Sequence, residues 1–113
     1  MNFESNQNKN EAVIQSNVDK LNASNSSELK STLIQLNKMG VNKIVVDLSA
    51  TNYCDSSGLS AILMANRLCK DSNGALILCG LKENVMKLIQ IAQLDKVLSI
   101  AADQNTAVEM LNL

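Results

Sequence analysis

The apolar stretch Ile44-Val45-Val46-Asp47-Leu48, with the segment Asp55-Ser56-Ser57-Gly58 that follows it after a polar loop, decides the fold. Its β-branched residues show no polar alternation, which is typical of a strand that helices cover on both faces. Ala75-Leu76-Ile77-Leu78-Cys79 has the same character and follows the turn sequence Asn73-Gly74. We therefore predict two neighbouring parallel strands at the centre of a sheet.

Helical spacing of apolar residues predicts helices before, between and after these strands. The helix between them is predicted over Gly58 to Lys70. The earlier helix is predicted to begin at a capping box of Asn25 and Glu28 and to end at Gly40. Leu29, Leu33 and Leu36 mark the first helix, and a helix after the second strand is marked by Leu81, Val85, Leu88 and Ala92. A last strand is predicted over Val97 to Ile100. Val108 and Leu111 mark a terminal helix.

The N-terminal segment predicts a β-hairpin. Two short strands lie between Phe3 and Gln15, separated by the polar run Asn6 to Asn10, and the second strand contains Ala12-Val13-Ile14. Ser16 to Ser27 is rich in Ser and Asn and is predicted to be a loop. The element order ββαβαβαβα predicts a single α/β domain over 1–113 with a mixed, mostly parallel sheet, because parallel strands need helical crossover connections.

Composition narrows the function classes. Lys and Arg number 10 against 11 Asp and Glu, and aromatic residues make up 2% of the chain. The clustered positive charge and stacking rings of nucleic-acid-binding proteins are therefore missing. No stretch has the roughly 18 apolar residues of a membrane span, and the N-terminus does not resemble a signal peptide. We expect a cytoplasmic protein without a cofactor, direct nucleic-acid contact or membrane insertion.

The cysteines are spaced too irregularly for a metal site or a disulfide framework. Cys54, Cys69 and Cys79 form no Cys-x-x-Cys pair. We expect all of them to be reduced, with Cys69 and Cys79 as small buried hydrophobic residues.

The loop after Leu48, which leads into the next helix, is the candidate functional site, because working surfaces of open α/β sheets lie at the carboxyl ends of strands. Asp55, Ser56 and Ser57 are all favoured N-cap residues, so one interpretation is that they only begin a helix. The other is that Ser56 is a phosphoacceptor, since its hydroxyl would be exposed and a helix N-terminus tolerates negative charge. The residues alone leave both interpretations open.

One stripe of the following helix is a candidate partner surface. Steps of about 100° per residue place these side chains along it: Ser56, Ser60, Leu63, Met64 and Arg67. The remaining arc is expected in the core: Leu59, Ala61, Ile62, Ala65, Leu68 and Cys69. Methionine and arginine are common in adaptable or energetically dominant contacts. Periodicity alone equally allows Leu63 and Met64 to edge the core.

With this motif, the sequence resembles the STAS domain family, and within it the small anti-sigma factor antagonists of bacteria. The resemblance rests on the apolar strand, the loop and Asp55-Ser56-Ser57-Gly58-Leu59, together with the order of elements from about Glu11 to Leu113. It implies that Ser56 is phosphorylated by a partner anti-sigma factor that is itself a serine kinase. It also implies that Ser57 is structural and that Asp19 lies near the phosphorylation site.

The implied function is a switch in which the unphosphorylated form binds the kinase and frees a sigma factor, and phosphorylation of Ser56 abolishes binding. The expected partners are the anti-sigma factor serine kinase and a phosphatase, with no small-molecule substrate. Taken with the stripe, the candidate partner-binding residues are Asp19, Asp55, Ser56, Ser57, Ser60, Met64 and Arg67. The chain departs from the family pattern at Ser16-Asn17, where Gly-Glu is usual, and at Gln93, where glycine is frequent.

Three other functions have different requirements. A serine hydrolase needs a base, and the chain has no histidine and no Gly-x-Ser-x-Gly elbow. A receiver-like domain with Asp47 as the phosphoacceptor needs further carboxylates for magnesium, and Ala12 to Ser16 offers none, so we expect Asp47 to order the following loop. A stand-alone accessory subunit of a membrane ABC-type lipid transport complex, which some STAS members resemble, stays open. We expect a kinase substrate without an ATP-binding phosphate loop, not an enzyme.

Overall fold

The main sheet has five strands and is mostly parallel. The computed structural model describes residues 2–112, and the spatial order of the strands is β1 (Phe3–Asn8), β2 (Glu11–Ser16), β4 (Lys43–Asp47), β6 (Ala75–Cys79) and β7 (Ser99–Ala101). β1 and β2 pair antiparallel, and every later pair is parallel. The predicted mixed sheet and the parallel neighbours β4 and β6 are confirmed.

Each face of the sheet carries its own core, which explains the apolar runs. Ile44 and Val46 lie in a core with residues of α1 (Ser26–Lys38), α2 (Ser56–Asp71) and α3 (Glu83–Ile91). Val45 lies in a second core with residues of α4 (Gln104–Leu111). Helices therefore cover both faces of β4, as its unbroken apolar sequence predicts.

A second, two-stranded sheet lies within the predicted loops and was not expected. β3 (Lys20–Leu21) pairs in parallel with β5 (Tyr53–Cys54). The backbone N–H groups of Asn52 and Tyr53 both donate to the Asp19 carbonyl, at 2.8 and 3.1 Å. The prediction of a loop over Ser16 to Ser27 is wrong at Lys20 and Leu21, because strands this short have no measurable periodicity.

The hairpin is confirmed, but the polar run does not separate its strands. Asn6 to Asn8 belong to β1, and the turn is confined to Lys9 and Asn10. All residues of β1 after Phe3 are exposed. Polar side chains are therefore compatible with this edge strand, although they suggested a loop in the sequence.

The helix boundaries also require corrections. α1 has Asn25 at its N-cap, but the predicted capping box with Glu28 is wrong: the Asn25 side chain donates to the Lys20 carbonyl at 2.8 Å and accepts from the Asn22 N–H at 3.0 Å. Both the oxygen and the nitrogen of the side-chain amide are thus bonded to the preceding loop instead of capping the helix. α2 begins two residues before the predicted start at Gly58.

The last strand begins at Ser99, not at Val97 as predicted. A 3-10 turn over Leu94–Lys96 precedes it, and Gln93 at the N-cap of that turn has φ 60° and ψ 26° in the left-handed region. This is the position where the family pattern frequently has glycine. A side chain there is strained, because its Cβ crowds the backbone.

Gln93→Gly is expected to raise the free energy of unfolding by about 0.5–1 kcal/mol. Relief of about 1–2 kcal/mol of left-handed strain exceeds the about 0.5–1 kcal/mol of extra chain entropy that glycine loses on folding. Urea denaturation of wild type and variant measures the difference. Ala92→Gly is the matched control, because Ala92 has right-handed geometry and the substitution there should destabilise. A destabilised Gln93→Gly variant would contradict the strained turn.

Candidate functional site

A buried chain of hydroxyl groups ties together the loops that follow β2 and β4. The Thr51 hydroxyl donates to the Val18 carbonyl at 2.8 Å, and the Ser16 and Thr51 hydroxyl oxygens are also 2.8 Å apart. Because the Thr51 proton is already used, the Ser16 hydroxyl donates to Thr51. Ser16 and Thr51 are both fully buried, so these bonds are shielded from water and hold the two loops side by side.

The N-terminus of α2 packs through Gly58 against a platform formed by Leu21 and Cys54, which are paired residues of β3 and β5. A methyl group at Gly58 would lie 2.6 Å from the Leu21 carbonyl oxygen and 2.8 Å from the Cys54 sulfur, closer than real side chains approach. Asp55 is the N-cap of α2, and its Oδ1 accepts from the Gly58 N–H at 3.0 Å. Glycine thus allows the close approach, and the aspartate begins the helix.

Ser56 is the first residue of α2 and is exposed, whereas Ser57 is half-buried. The N–H groups of the first helical turn have no partner within the helix, and the Asp55 carboxylate satisfies only that of Gly58. Ser56 therefore presents its hydroxyl at the positive end of the helix dipole. The structure assigns the capping role to Asp55, which leaves the Ser56 side chain free of that task.

The predicted stripe on α2 lies at the surface. Ser60 and Arg67 are exposed, Leu63 and Met64 are half-buried, and these residues together line a shallow cavity of about 230 Å³. Leu63 packs against the main core, and Met64 belongs to neither core. Of the arc predicted to be core, Leu59 and Leu68 are half-buried and these residues are fully buried: Ala61, Ile62, Ala65 and Cys69.

Asp19 lies beside the loop that leads to Ser56. Its Oδ1 accepts from the Asn52 side-chain amide at 2.6 Å, while its carbonyl accepts from the backbone of the same loop. Asp19 is exposed, so its charge is accessible to a partner. The fold thus brings the loop that contains Asp19 beside the loop that contains Asn52 and leads to the serine motif, although the two residues are 33 positions apart in the sequence.

Sequence reasoning missed a pocket between β3 and β5, next to the motif. It has a volume of about 390 Å³ and is lined by Lys20, Leu21, Asn22, Tyr53, Cys54 and Asp55. The Lys20 ammonium lies 5.8 Å from the centroid of the Tyr53 ring. The one available signal was the single tyrosine of the chain, placed three positions before Ser56.

The remaining reactive groups near the motif are unsuited to nucleophilic chemistry. Burial raises the pKa of the Cys54 thiol to about 11, with a further contribution from the Asp55 carboxylate, so it is protonated at neutral pH. Burial likewise raises the pKa of Cys69 to about 11 and that of Cys79 to about 12. Cys69 and Cys79 are fully buried, as predicted.

Asp47 orders the loop that follows it, as predicted. Its Oδ1 accepts from the Ser49 N–H at 2.9 Å, and its Oδ2 accepts from the Gln104 side chain at 3.1 Å. Within residues 2–112 there is no group of three or more His, Cys, Asp or Glu side chains that could hold a metal ion. In the same range no helix is long and apolar enough to cross a membrane.

Comparisons with known sequences find one domain family and a curated relative. The sequence model of the STAS domain matches residues 4–107. A candidate anti-sigma factor antagonist, BtrV of Bordetella bronchiseptica, is 26% identical over 87 residues, which are 77% of this chain and 75% of that protein.

Solved structures confirm the fold. A candidate anti-sigma factor antagonist from Thermotoga maritima superposes with a TM-score of 0.90 at 24% identity, over 98% of this chain and 95% of that chain. The anti-sigma factor antagonist SpoIIAA in its unphosphorylated form gives a TM-score of 0.82 at 18% identity, over 98% and 97% of the two chains. The phosphorylated form of Bacillus SpoIIAA gives 0.75 at 19% identity, over 96% and 97%.

Gly58→Ala is expected to lower the free energy of unfolding by about 1–3 kcal/mol, because the new methyl group must displace the backbone of Leu21. Chemical denaturation followed by circular dichroism measures the loss. Ser60→Ala is the matched control on an exposed position of the same helix, where a change within about 0.5 kcal/mol is expected. Wild-type stability of Gly58→Ala would contradict the close contact.

Proposed function

This chain belongs to the STAS domain family, and we propose that it acts there as an anti-sigma factor antagonist. In the proposed cycle the unphosphorylated chain binds an anti-sigma factor serine kinase and thereby frees a sigma factor for transcription. Phosphorylation of Ser56 by the kinase ends the complex, and a phosphatase restores the binding form.

The observation that carries this proposal is the exposed Ser56 hydroxyl at the first position of α2. A kinase must reach the hydroxyl, and a phosphate must fit there without unfolding the protein. Both requirements are met at a helix N-terminus, where free N–H groups and the helix dipole favour an anion. Asp55 rather than Ser56 caps Gly58, so a phosphate on Ser56 would leave the capping group itself unmodified.

The switch would then act through charge at an interface. A phosphoserine adds about −1.5 to −2 charges near neutral pH, and here it would stand beside the Asp55 carboxylate. A partner surface that accepts a neutral hydroxyl would meet like-charge repulsion and a desolvation cost. The solved phosphorylated form of SpoIIAA, whose fold this chain shares, supports a modification compatible with the folded state.

The proposed partner surface consists of the exposed stripe of α2 and the loop bearing Asp19. Ser60, Met64 and Arg67 continue from Ser56 along the helix, and Met64 is free to contact a partner because it belongs to neither core. Asp19 adds an accessible carboxylate beside the same loop. Ser57 is half-buried and contributes mainly to the start of the helix.

We further propose that the chain is a kinase substrate rather than a catalyst and that it works in the cytoplasm, where sigma factors act. The absence of histidine from the sequence supports the first point, since no imidazole can activate a serine hydroxyl. The protonated thiol of the half-buried Cys54, next to the motif, supports it as well.

Ser56→Asp is expected to weaken binding to the cognate kinase at least about tenfold, since like-charge contacts at an interface cost several kcal/mol. Ser56→Ala should bind within a few-fold of wild type but accept no phosphate. Each anti-sigma factor kinase of the same genome is purified with ATP analogue and tested by calorimetry. Ser31→Asp, an exposed position of α1, controls for added charge. Equal affinity of Ser56→Asp and wild type would refute the switch.

Met64→Glu is expected to weaken kinase binding without loss of the cooperative thermal transition, because Met64 lies at the surface outside both cores. Ile34→Glu is the control, since Ile34 is a partly exposed apolar residue on α1 (39% exposed). Binding and melting curves of both variants separate the roles. Loss of the transition in Met64→Glu alone would place Met64 in the core instead.

A further inference from the structure

The pocket lined by β3 and β5 contains one cation, Lys20, and adjoins the serine motif through Asp55. Lys20 and Tyr53 are register partners in the two strands, so their side chains emerge side by side, and the ammonium lies over the ring. Tyr53 is 52% exposed, although tyrosine rings usually bury much of their surface. The ring positions the Lys20 ammonium by a cation–π contact, and the ammonium can still bind a further group on the side away from the ring.

The charged groups around the pocket differ in whether they have a partner within the protein. The Asp19 carboxylate accepts from the Asn52 amide, and the Asp55 carboxylate accepts from the Gly58 N–H. Lys20 forms no ion pair within residues 2–112. Lys20 is therefore a cation of this pocket without an ion-pair partner in the described residues, and its ammonium has three N–H donors to offer an incoming acceptor.

We propose that the pocket receives a carboxylate side chain of the kinase partner, which pairs with Lys20, and that Tyr53 positions Lys20 for it. This inference rests on the proposed function and extends its partner surface from α2 to the β3–β5 side of Ser56. Lys20 then selects among partners, because a kinase that presents a neutral or basic side chain at this point leaves the ammonium unpaired.

The charge switch at Ser56 favours an acidic occupant. A partner carboxylate beside the motif is repelled by a new phosphate, so phosphorylation weakens binding, as the proposed cycle requires. A partner guanidinium or ammonium at the same place would be attracted by the phosphate, and the switch would run in the opposite direction. The pocket adjoins the motif through Asp55, so the two contacts lie on one continuous surface.

The test uses the kinase that distinguishes wild type from Ser56→Asp. Lys20→Gln is expected to weaken its binding about tenfold and to reduce the salt dependence of the affinity, because a charged contact is lost. Lys38→Gln is the control, since Lys38 is also exposed but lies at the end of α1, by the amino-terminal edge of β4. Thermal melting should be unchanged in both variants.

Tyr53 is tested by its positioning role. Tyr53→Phe keeps the ring and should retain affinity and salt dependence, whereas Tyr53→Ala should lose both to the extent that Lys20→Gln does. The double variant Lys20→Gln/Tyr53→Ala should bind the kinase no more weakly than Lys20→Gln alone. Because the chain has one tyrosine, labelling with 3-fluorotyrosine gives a single ¹⁹F resonance from the pocket, and it should shift when unlabelled kinase is added.

Other results would overturn the proposal in distinguishable ways. If Lys20→Gln binds within twofold of wild type and the ¹⁹F resonance does not move, the pocket lies outside the interface, while the Ser56 switch stands. Tighter binding by Lys20→Gln would identify a cationic occupant. If no kinase distinguishes Ser56→Asp from wild type, the proposed function fails, and the partner contact at Lys20 fails with it.

Discussion

The contact between the backbone of Gly58 and the carbonyl of Leu21 is the constraint on which the site depends. A Cβ atom there would stand 2.6 Å from the carbonyl oxygen, so only glycine allows α2 to start against β3. Leu21 is in turn paired with Cys54, and the loops on both sides are tied by the buried Ser16 and Thr51 hydroxyls. Because Gly58 packs against this platform, Ser56, two positions earlier on the same helix, is left exposed.

The central elements could be predicted because their sequence reflects the environment they occupy. Val45 and Val46 face different cores, so β4 had to be apolar on both of its faces, and a short unbroken apolar run is typical of such a strand. Asn25 was misread for the opposite reason. An asparagine satisfies a helix end or a preceding loop equally well, and the neighbouring backbone of Lys20 and Asn22, not the sequence pattern, decides between them.

The candidate site was predictable in its centre and not at its edges. Ser56 stands in a motif whose strand, loop and helix are contiguous in the sequence. The juxtaposition of Lys20 with Tyr53 depends on the register of two short strands that are 33 residues apart, and no local pattern encodes it. Gln93 is a similar case: its left-handed backbone follows from the need to turn from α3 into the 3-10 segment, while its side chain is that of an ordinary helix residue.

This arrangement explains how a phosphate could signal without a change of shape. The N-cap bond of Asp55 and the packing of Gly58 both lie on the side of the helix end that faces the platform, whereas Ser56 faces solvent. A modification of Ser56 would therefore leave these two contacts in place, and the dipole of α2 would offset part of the added charge. The energetic effect of a phosphate would fall instead on the complex that this surface forms. One added charge on this surface would lower the affinity for a partner that presents like charge there.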